Sequence, residues 1–299
     1  MSILIALIKV ILVFGLLVLA CAIYLKTKGM LNGYRLASMI SLVLTFGTLI
    51  WIIVYILSMG VPHMKASLFE WTYTTENVSM MPSIITTLIV VFLGIVIATP
   101  IGVFTAIYLV EYAKPGSKVV EVIRLAAETL QGIPSIVYGL FGMLFFGQAL
   151  GLGYSITSGV LTVSIMILPL IIRSTEEALK SVNDSLRHAS FALGAGKFRT
   201  IFKVVLPIAM PGVLAGVVLA TGRIVGETAC LIYTLGTATA MPTGISSSSR
   251  TLALHMYMLS SEGLYVGQAY ATAMILLVVV LIINFISTKI GNKLAEVTS

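Results

Sequence analysis

Long apolar runs separated by short polar connections organise this chain. Seven runs are long enough, or nearly so, for the ~20 helical residues that cross ~30 Å of hydrocarbon. They fall at about 3–25, 36–59, 82–111, 133–150, 156–173, 208–235 and 268–288. The fourth and fifth are the shortest, and only Gly151 to Ser155 separates them, which predicts a tight hairpin. The first run has Lys9 as its first charge, no basic region before it and no clean small-x-small site after it. It reads as a retained membrane helix rather than a cleaved signal.

Thr175 to Pro207 is the one long water-compatible island. Glu176 and Glu177 directly follow Ser174 and Thr175, a cap and acidic first turn that predict a helix start there. Glu176 and Lys180 then share a face at i,i+4. Asp184 or Ser185 is placed to cap a second helix over 185–193. Gly194 ends it where a left-handed residue is wanted, and Gly196 loosens the turn. A third run, from Lys197, stops at Pro207. The pattern predicts a helix–turn–helix elbow with a basic side and a small-residue side, suited to being held by another protein. A plain solvated loop is the alternative.

Composition sharpens the class. Of 299 residues, 59% are hydrophobic and 10% charged, with a mean hydropathy of +1.09. No soluble domain of this size hides so much apolar surface, so an all-α polytopic membrane protein is expected. Net charge is +7, but its placement matters more than its sum. Fourteen of the 18 Lys and Arg residues lie in the connections 26–35, 112–132 and 173–207 and in the C-terminal tail. The opposite connections carry only Lys65 and Arg250. The positive-inside rule then puts the elbow and the C-terminus in the cytoplasm and the N-terminus outside.

The remaining connections are less telling. Residues 60–81 hold Glu70, Trp71, Tyr73 and Glu76, a mix suited to the membrane interface. Residues 236–267 are rich in Ser and Thr and have no evident fold. Either face could dock a binding protein or be merely solvated. No basic tract interleaved with aromatics suggests nucleic acid. Cys21 and Cys230 suggest neither a disulfide framework nor a metal site, and two isolated histidines, His63 and His255, make a weak metal case. No internal repeat and no interdomain linker stands out.

Ionisable groups inside apolar runs are costly and mark a pathway or a pair. The sixth run contains Gly222-Arg223-Ile-Val-Gly226-Glu227-Thr228. At four residues apart on one helix, Arg223 and Glu227 could neutralise each other as a structural pair. Alternatively, Arg223 offers a planar cationic fork to an oxyanion while Glu227 moderates the hold. Gly212-x-x-x-Gly216 and Gly222-x-x-x-Gly226 let helix backbones approach, and the second pair leaves room beside Arg223. Pro134 resets the backbone near a helix start, and Glu128 and Gln131 before it suit a cytoplasmic helix end. Arg173 closes the fifth run and is expected to snorkel to the interface. Gly194-Ala-Gly196-Lys197 imitates part of a P-loop, but Phe191 and Phe198 occupy the required Gly and Ser/Thr positions, so this chain is not expected to bind ATP. No catalytic constellation is evident.

His188-Ala189-Ser190, then Gly194, then Val204-x-Leu206-Pro207 resembles the EAA signature of ABC importer permeases. Its spacings, Gly and Leu-Pro all match. His188 stands in place of Glu, Ser190 of Ala and Val204 of Ile. The stretches 132–141 (GIPSIVYGLF), 222–229 (GRIVGETA) and 269–284 are similar to the phosphate-specific ABC importer permeases, and more to their A-type than to their C-type subunit. The resemblance spans roughly residues 80–295. It implies a type I ABC importer permease fold with six to seven transmembrane helices: residues 1–79 would supply two spans and an external loop, and 80–295 the permease core with its coupling elbow at 174–207. It further implies a translocation subunit in the prokaryotic cell membrane, without catalytic activity or cofactor of its own. A C-type permease subunit, two ATPase subunits that bind ATP and Mg, and an extracytoplasmic phosphate-binding protein would be its partners, alongside membrane lipid. Arg223, Glu227 and Thr228 are the expected anion pathway. His188, Ala189, Ser190, Gly194, Leu206 and Pro207 are the expected docking surface for the ATPase. Two other readings remain: a permease for molybdate, tungstate or sulfate, and a secondary anion transporter that needs no ATPase.

Overall fold

A computed structural model describes residues 33–114 and 116–298. The expected first membrane run, 3–25, lies outside them. The described residues are helical without any strand, and the chain divides into two compact units between His63 and Met64. In the first, α1 (Gly33–Gly60) is an apolar helix. Thr45 and Thr48 turn their hydroxyls back to the carbonyls of Ser41 and Leu44, so neither hydroxyl hydrogen is left facing hydrocarbon.

The second unit begins its helices with α2 (Met81–Ile107), which widens into a π-helical turn at Tyr108–Tyr112. There follow α3 (Lys118–Gly132), α4 (Ser135–Gly142, extended by a π-helical stretch to Ala149), α5 (Ile156–Lys180) and α6 (Asp184–Ala192). α7 (Lys197–Thr200) runs through a π-helical turn at Ile201–Val205 into α8 (Leu206–Val225). Short α9 (Ala229–Thr234), α10 (Leu252–Glu262) and long α11 (Val266–Thr298) complete the chain.

α5 is the central post. Its buried Val160, Val163, Ile167 and Ile171 belong to one apolar core with Val90, Val91 and Ala98 of α2 and Ala220 and Ile224 of α8. Small residues set the spacing. A Cβ at Gly102 would stand 2.7 Å from the Ile171 side chain, one at Gly212 would stand 2.7 Å from Ala178 Cβ, and one at Gly216 would overlap Ser174.

Five described helices are long and apolar enough to span a membrane, or six if α3 and α4, bent by 104°, count as one. Several expected boundaries move. The run at 133–150 is not a straight span: Ile133, held extended (φ −73°, ψ 129°) by the proline after it, turns α4 sharply away from α3. The fifth run continues to Lys180, so Glu176 and Glu177 do not open a new helix but sit in the last turns of α5. Carboxylates are unfavourable at that end of a helix, and three cations offset them: Lys180 Nζ and Arg124 Nη2 each lie 2.6 Å from Glu176 Oε1, and Arg173 Nε lies 3.3 Å from Glu177. Arg173 is thus paired within the helix.

The third run does not stop at Pro207. The wide turn at Ile201–Val205 precedes it, and Pro207 occupies the first turn of α8, where its missing N–H costs least. The sixth run breaks after Val225 instead of continuing to 235. The stretch 236–267 does contain a fold, since α10 begins at a Thr251 side-chain cap and ends at Gly263 with φ 73°.

Candidate functional site

The depth of Arg223 follows from helix register. α5 and α8 run antiparallel, with Gly212 against Ala178 and Gly216 against Ser174. The same register carries Arg223 opposite Ile167, the middle of the 25-residue α5. At ~1.5 Å per residue, that leaves roughly 18 Å of helix on either side.

Just beyond Arg223 the helix ends. The Gly226 N–H donates to the Gly222 carbonyl at 3.2 Å and the Glu227 N–H to the Ile224 carbonyl at 3.1 Å. α9 then restarts at Ala229. The intrahelical pair open to the sequence does not form, since Arg223 and Glu227 make no ion pair with each other. Glu227 is instead 8% exposed, and its Oε1 accepts the Cys230 N–H at 3.0 Å. A carboxylate at the first turn of a helix satisfies an otherwise unbonded amide and opposes the helix dipole favourably. Gly139 of α4 makes room for this restart, because a Cβ there would stand 3.0 Å from Cys230 Cα and from its carbonyl oxygen.

Arg223 is half-buried and makes no ion pair among the described residues. Its charge reaches the phenol of Tyr138, whose hydroxyl donates to the Leu130 carbonyl at 2.8 Å. A Cβ at Gly222 would meet nothing within 4 Å, so the side of α8 next to Arg223 is open. Thr228 is half-buried, and its hydroxyl lies at the break, 3.4 Å from the Gly226 carbonyl. The result is an uncommitted guanidinium at a helix discontinuity, with a carboxylate nearby that is occupied elsewhere. Among the described residues, no group of three His, Cys, Asp or Glu side chains could hold a metal ion.

At the other end of α5 stands the elbow. Asn183, rather than Asp184 or Ser185, caps α6 by accepting the Ser185 N–H at 2.9 Å. Gly194 takes the left-handed conformation (φ 81°) that turns the chain out of α6. His188, Ala189 and Gly194 are exposed. So are apolar side chains beside them, with Leu193 88% and Phe198 67% exposed. The remaining expected docking residues sit inward. Ser190 and Thr200 share a hydroxyl hydrogen bond of 2.8 Å that closes the elbow. Leu206 packs against the core of Ile201, Val205 and Ala209, and Pro207 is half-buried. These three are half-buried and pack within the elbow.

Sequence reasoning missed the residue that joins the elbow to the bundle. Arg187 Nε and Nη2 donate to Glu111 Oε1 at 3.1 and 2.9 Å. Its Nη2 also reaches the Leu179 carbonyl, and Nη1 reaches Val182 O and Asp184 Oδ1. Glu111 lies in the π turn at the end of α2, 76 residues away in sequence, so local spacing gave no signal for it. Lys197 adds a second tie, its ammonium 5.1 Å from the ring centre of Tyr112. Between α3 and α5 at this end, a cavity of about 180 Å³ is lined by Arg124, Glu128, Gln131, Arg173, Glu176 and Lys180.

Residues 98–295 match the family described as binding-protein-dependent transport system inner membrane component. The chain belongs to this family. It is 34% identical to the probable ABC transporter permease protein YqgI of Bacillus subtilis over 222 residues, covering 69% of this chain and 75% of the relative. It is 33% identical over 251 residues to the phosphate transport system permease protein PstA 2 of Mycobacterium tuberculosis, covering 81% of each. Among solved structures, it is similar to a chain of the MetNI methionine ABC transporter in inward-facing form. There the TM-score is 0.53 at 21% identity, over 82% of this chain and 97% of that one. The fold is that of a type I ABC importer permease, and the chain is a multi-pass transport subunit rather than a catalytic enzyme.

Proposed function

We propose that this chain is the A-type permease subunit of an ATP-driven importer that moves inorganic phosphate into the cytoplasm. The observation that carries the reading is Arg223: a planar, permanently charged fork at mid-depth of the bundle, beside a helix break, with no carboxylate engaged. A guanidinium binds tetrahedral oxyanions by paired hydrogen bonds. Because Glu227 is held by the Cys230 amide, it tempers the local potential without closing the fork, which suits a site that must also release its ion. Thr228 adds a hydroxyl at the break. The similarity to the phosphate transport system permease protein PstA 2 supports phosphate as the substrate.

The elbow would dock by His188, Ala189, Gly194 and the exposed Leu193 and Phe198 on a partner ATPase, where ATP and Mg are bound. A related C-type permease subunit would complete the pathway, a second ATPase would serve it, and an external phosphate-binding protein would deliver the ion. The basic connections support a cytoplasmic elbow and C-terminus. Hydrolysis would act through the two elbow ties, Arg187–Glu111 and Lys197–Tyr112, on a bundle with two arrangements.

The test is phosphate uptake in cells lacking their own high-affinity system and carrying the complete complex with Arg223 or Arg223→Gln. ATP-dependent, phosphate-selective uptake that collapses in the variant while assembly persists is expected. Normal uptake by the variant would make Arg223 structural. Uptake of sulfate or molybdate in place of phosphate would move the substrate to another oxyanion, and transport without any ATPase would remove the importer reading.

A further inference from the structure

At the end of the bundle opposite the elbow, a second positive site is built from residues far apart in sequence. The N-terminus of α5 marks this end: the Ile156 and Thr157 amides donate to the Ser247 and Ile245 carbonyls. Arg250 follows in the same connection, directly before the Thr251 cap of α10. It is 4% exposed, and its Nε and Nη2 are buried without any hydrogen-bond partner. His255, one turn into α10, is 0% exposed, and neither ring nitrogen is bonded.

The ring of Tyr73 covers both. Its centre lies 5.1 Å from the Arg250 guanidinium carbon and 6.2 Å from the His255 ring, edge to face. Among the described residues, the only carboxylate acting on Arg250 is that of the exposed Glu262, which does not form an ion pair with it. Glu70, on the Tyr73 loop, is bonded by the Asn77 amide at 2.7 Å.

A buried guanidinium without a counter-ion is strongly unfavourable unless an anion joins it in some state of the protein. Among the described residues no carboxylate pairs with Arg250: its side-chain hydrogen bond goes to Tyr73, and the buried groups around the cluster are hydroxyls, with Ser249 and Thr86 sharing a hydrogen bond of 2.6 Å and the Thr87 hydroxyl accepting the Leu252 N–H. His255 adds no second charge, since burial, and then Arg250, push its pKa down to about 3. Its neutral ring supplies one N–H donor, and its other nitrogen can accept from a protonated oxyanion. The first-turn amides of α10 contribute positive potential. The cover is formed by a surface segment, as Trp71, Thr72 and Thr74 to Glu76 are exposed on either side of the half-buried Tyr73.

We propose that Arg250 and His255 form a second oxyanion site at the mouth opposite the elbow, with Tyr73 as its lid, closed in this structure. The ligand class is a small tetrahedral oxyanion that enters here before reaching Arg223. The proposal rests on the reading of this chain as an oxyanion permease subunit.

The test is direct binding of radiolabelled inorganic phosphate to the complete complex in lipid nanodiscs, without the external binding protein, with sulfate as a second probe. Arg250→Gln is expected to weaken one site at least ~10-fold and Arg250→Lys less, because the ammonium keeps the charge but not the fork. Arg223→Gln is expected to leave that site intact while uptake is lost. Arg250→Gln binding like wild type overturns the proposal. If neither Arg250 variant assembles, His255→Gln carries the test, and unchanged affinity there overturns it. Binding of sulfate but not phosphate, lost in Arg250→Gln, would sustain this site while removing phosphate as the substrate. Phosphate uptake by wild type with all binding dependent on Arg223 alone would do the reverse.

Discussion

Arg187→Gln is the perturbation that most directly separates an elbow that rides on the bundle from one that moves it. Side-chain exposure is 12% for Arg187 and 9% for Glu111, so removing the guanidinium strands a buried carboxylate and frees the Leu179 and Val182 carbonyls. Breaking one half of a buried ion pair costs about 3–5 kcal/mol, most of it from the charge left behind. The limb to Asp184, whose side chain is 80% exposed, adds little, because exposed pairs are worth about 0–1 kcal/mol. Glu111→Gln in the same background removes the stranded charge, so the double variant should regain at least half of the loss. The assay is a double-variant cycle on unfolding of the purified complex, run beside ATP hydrolysis and uptake. If Arg187 joins the elbow to α2, uptake per ATP hydrolysed falls in Arg187→Gln even where the complex remains assembled. A coupling between the two positions below about 0.5 kcal/mol, the level expected of independent sites, would refute the reasoning. So would an unchanged ratio of uptake to hydrolysis.

Glu227→Gln keeps an oxygen for the Cys230 amide and should assemble normally, whereas Glu227→Ala loses the cap and should destabilise the complex by about 1 kcal/mol, read as a lower thermal midpoint. Gly142→Ala should be poorly tolerated, because the new methyl would overlap Thr162 and stand 2.7 Å from Thr234 Cγ2; about 1–3 kcal/mol of overpacking is expected, seen as reduced yield of assembled complex, while Gly132→Ala, with nothing within 4 Å, should be neutral. The folded pKa of His255, about 3, lies below its ordinary 6.5. The unfolded chain therefore binds the extra proton first, and stability falls as pH drops from about 6.5 toward 3, by up to about 1.4 kcal/mol per pH unit. Thermal midpoints measured from pH 7 to pH 5 should show this slope in wild type and lose it in His255→Gln.

The apolar runs made the membrane class legible, and the Gly194 and Leu206-Pro207 spacing made the elbow legible, because helix spans and left-handed turns are local properties of sequence. Boundaries were less so. Glu176 and Glu177 look like a helix start when only the preceding Ser and Thr are considered. What keeps them at a helix end is Arg124, 52 residues upstream, together with Lys180. Pro207 reads as a stop unless the preceding turn widens to π geometry, which apolar periodicity does not reveal. α10 was signalled by Thr251 at its start and Gly263 at its end, but the serines before it suggested a shapeless loop. Arg187–Glu111 and the Tyr73–Arg250–His255 cluster were invisible for a simpler reason: each joins segments between 76 and 182 residues apart, and only the packed bundle brings them together.

The helix break after Val225 changes the chemistry available to Arg223. On a continuous helix, Glu227 would sit one turn from Arg223 and bind the guanidinium intramolecularly, and an incoming oxyanion would have to displace a carboxylate. The break gives Glu227 another occupation, since the first turn of α9 has amides that no helical carbonyl can satisfy and the carboxylate takes one of them. Gly139 on α4 lets the restarted helix pack against its neighbour. The Gly-x-x-x-Gly-Glu-Thr stretch can thus be understood as a device that ends one helix, caps the next and leaves the arginine between them free. The same logic accounts for a guanidinium left without an ion pair opposite the middle of α5: the carboxylate four residues on is hydrogen-bonded to the Cys230 N–H.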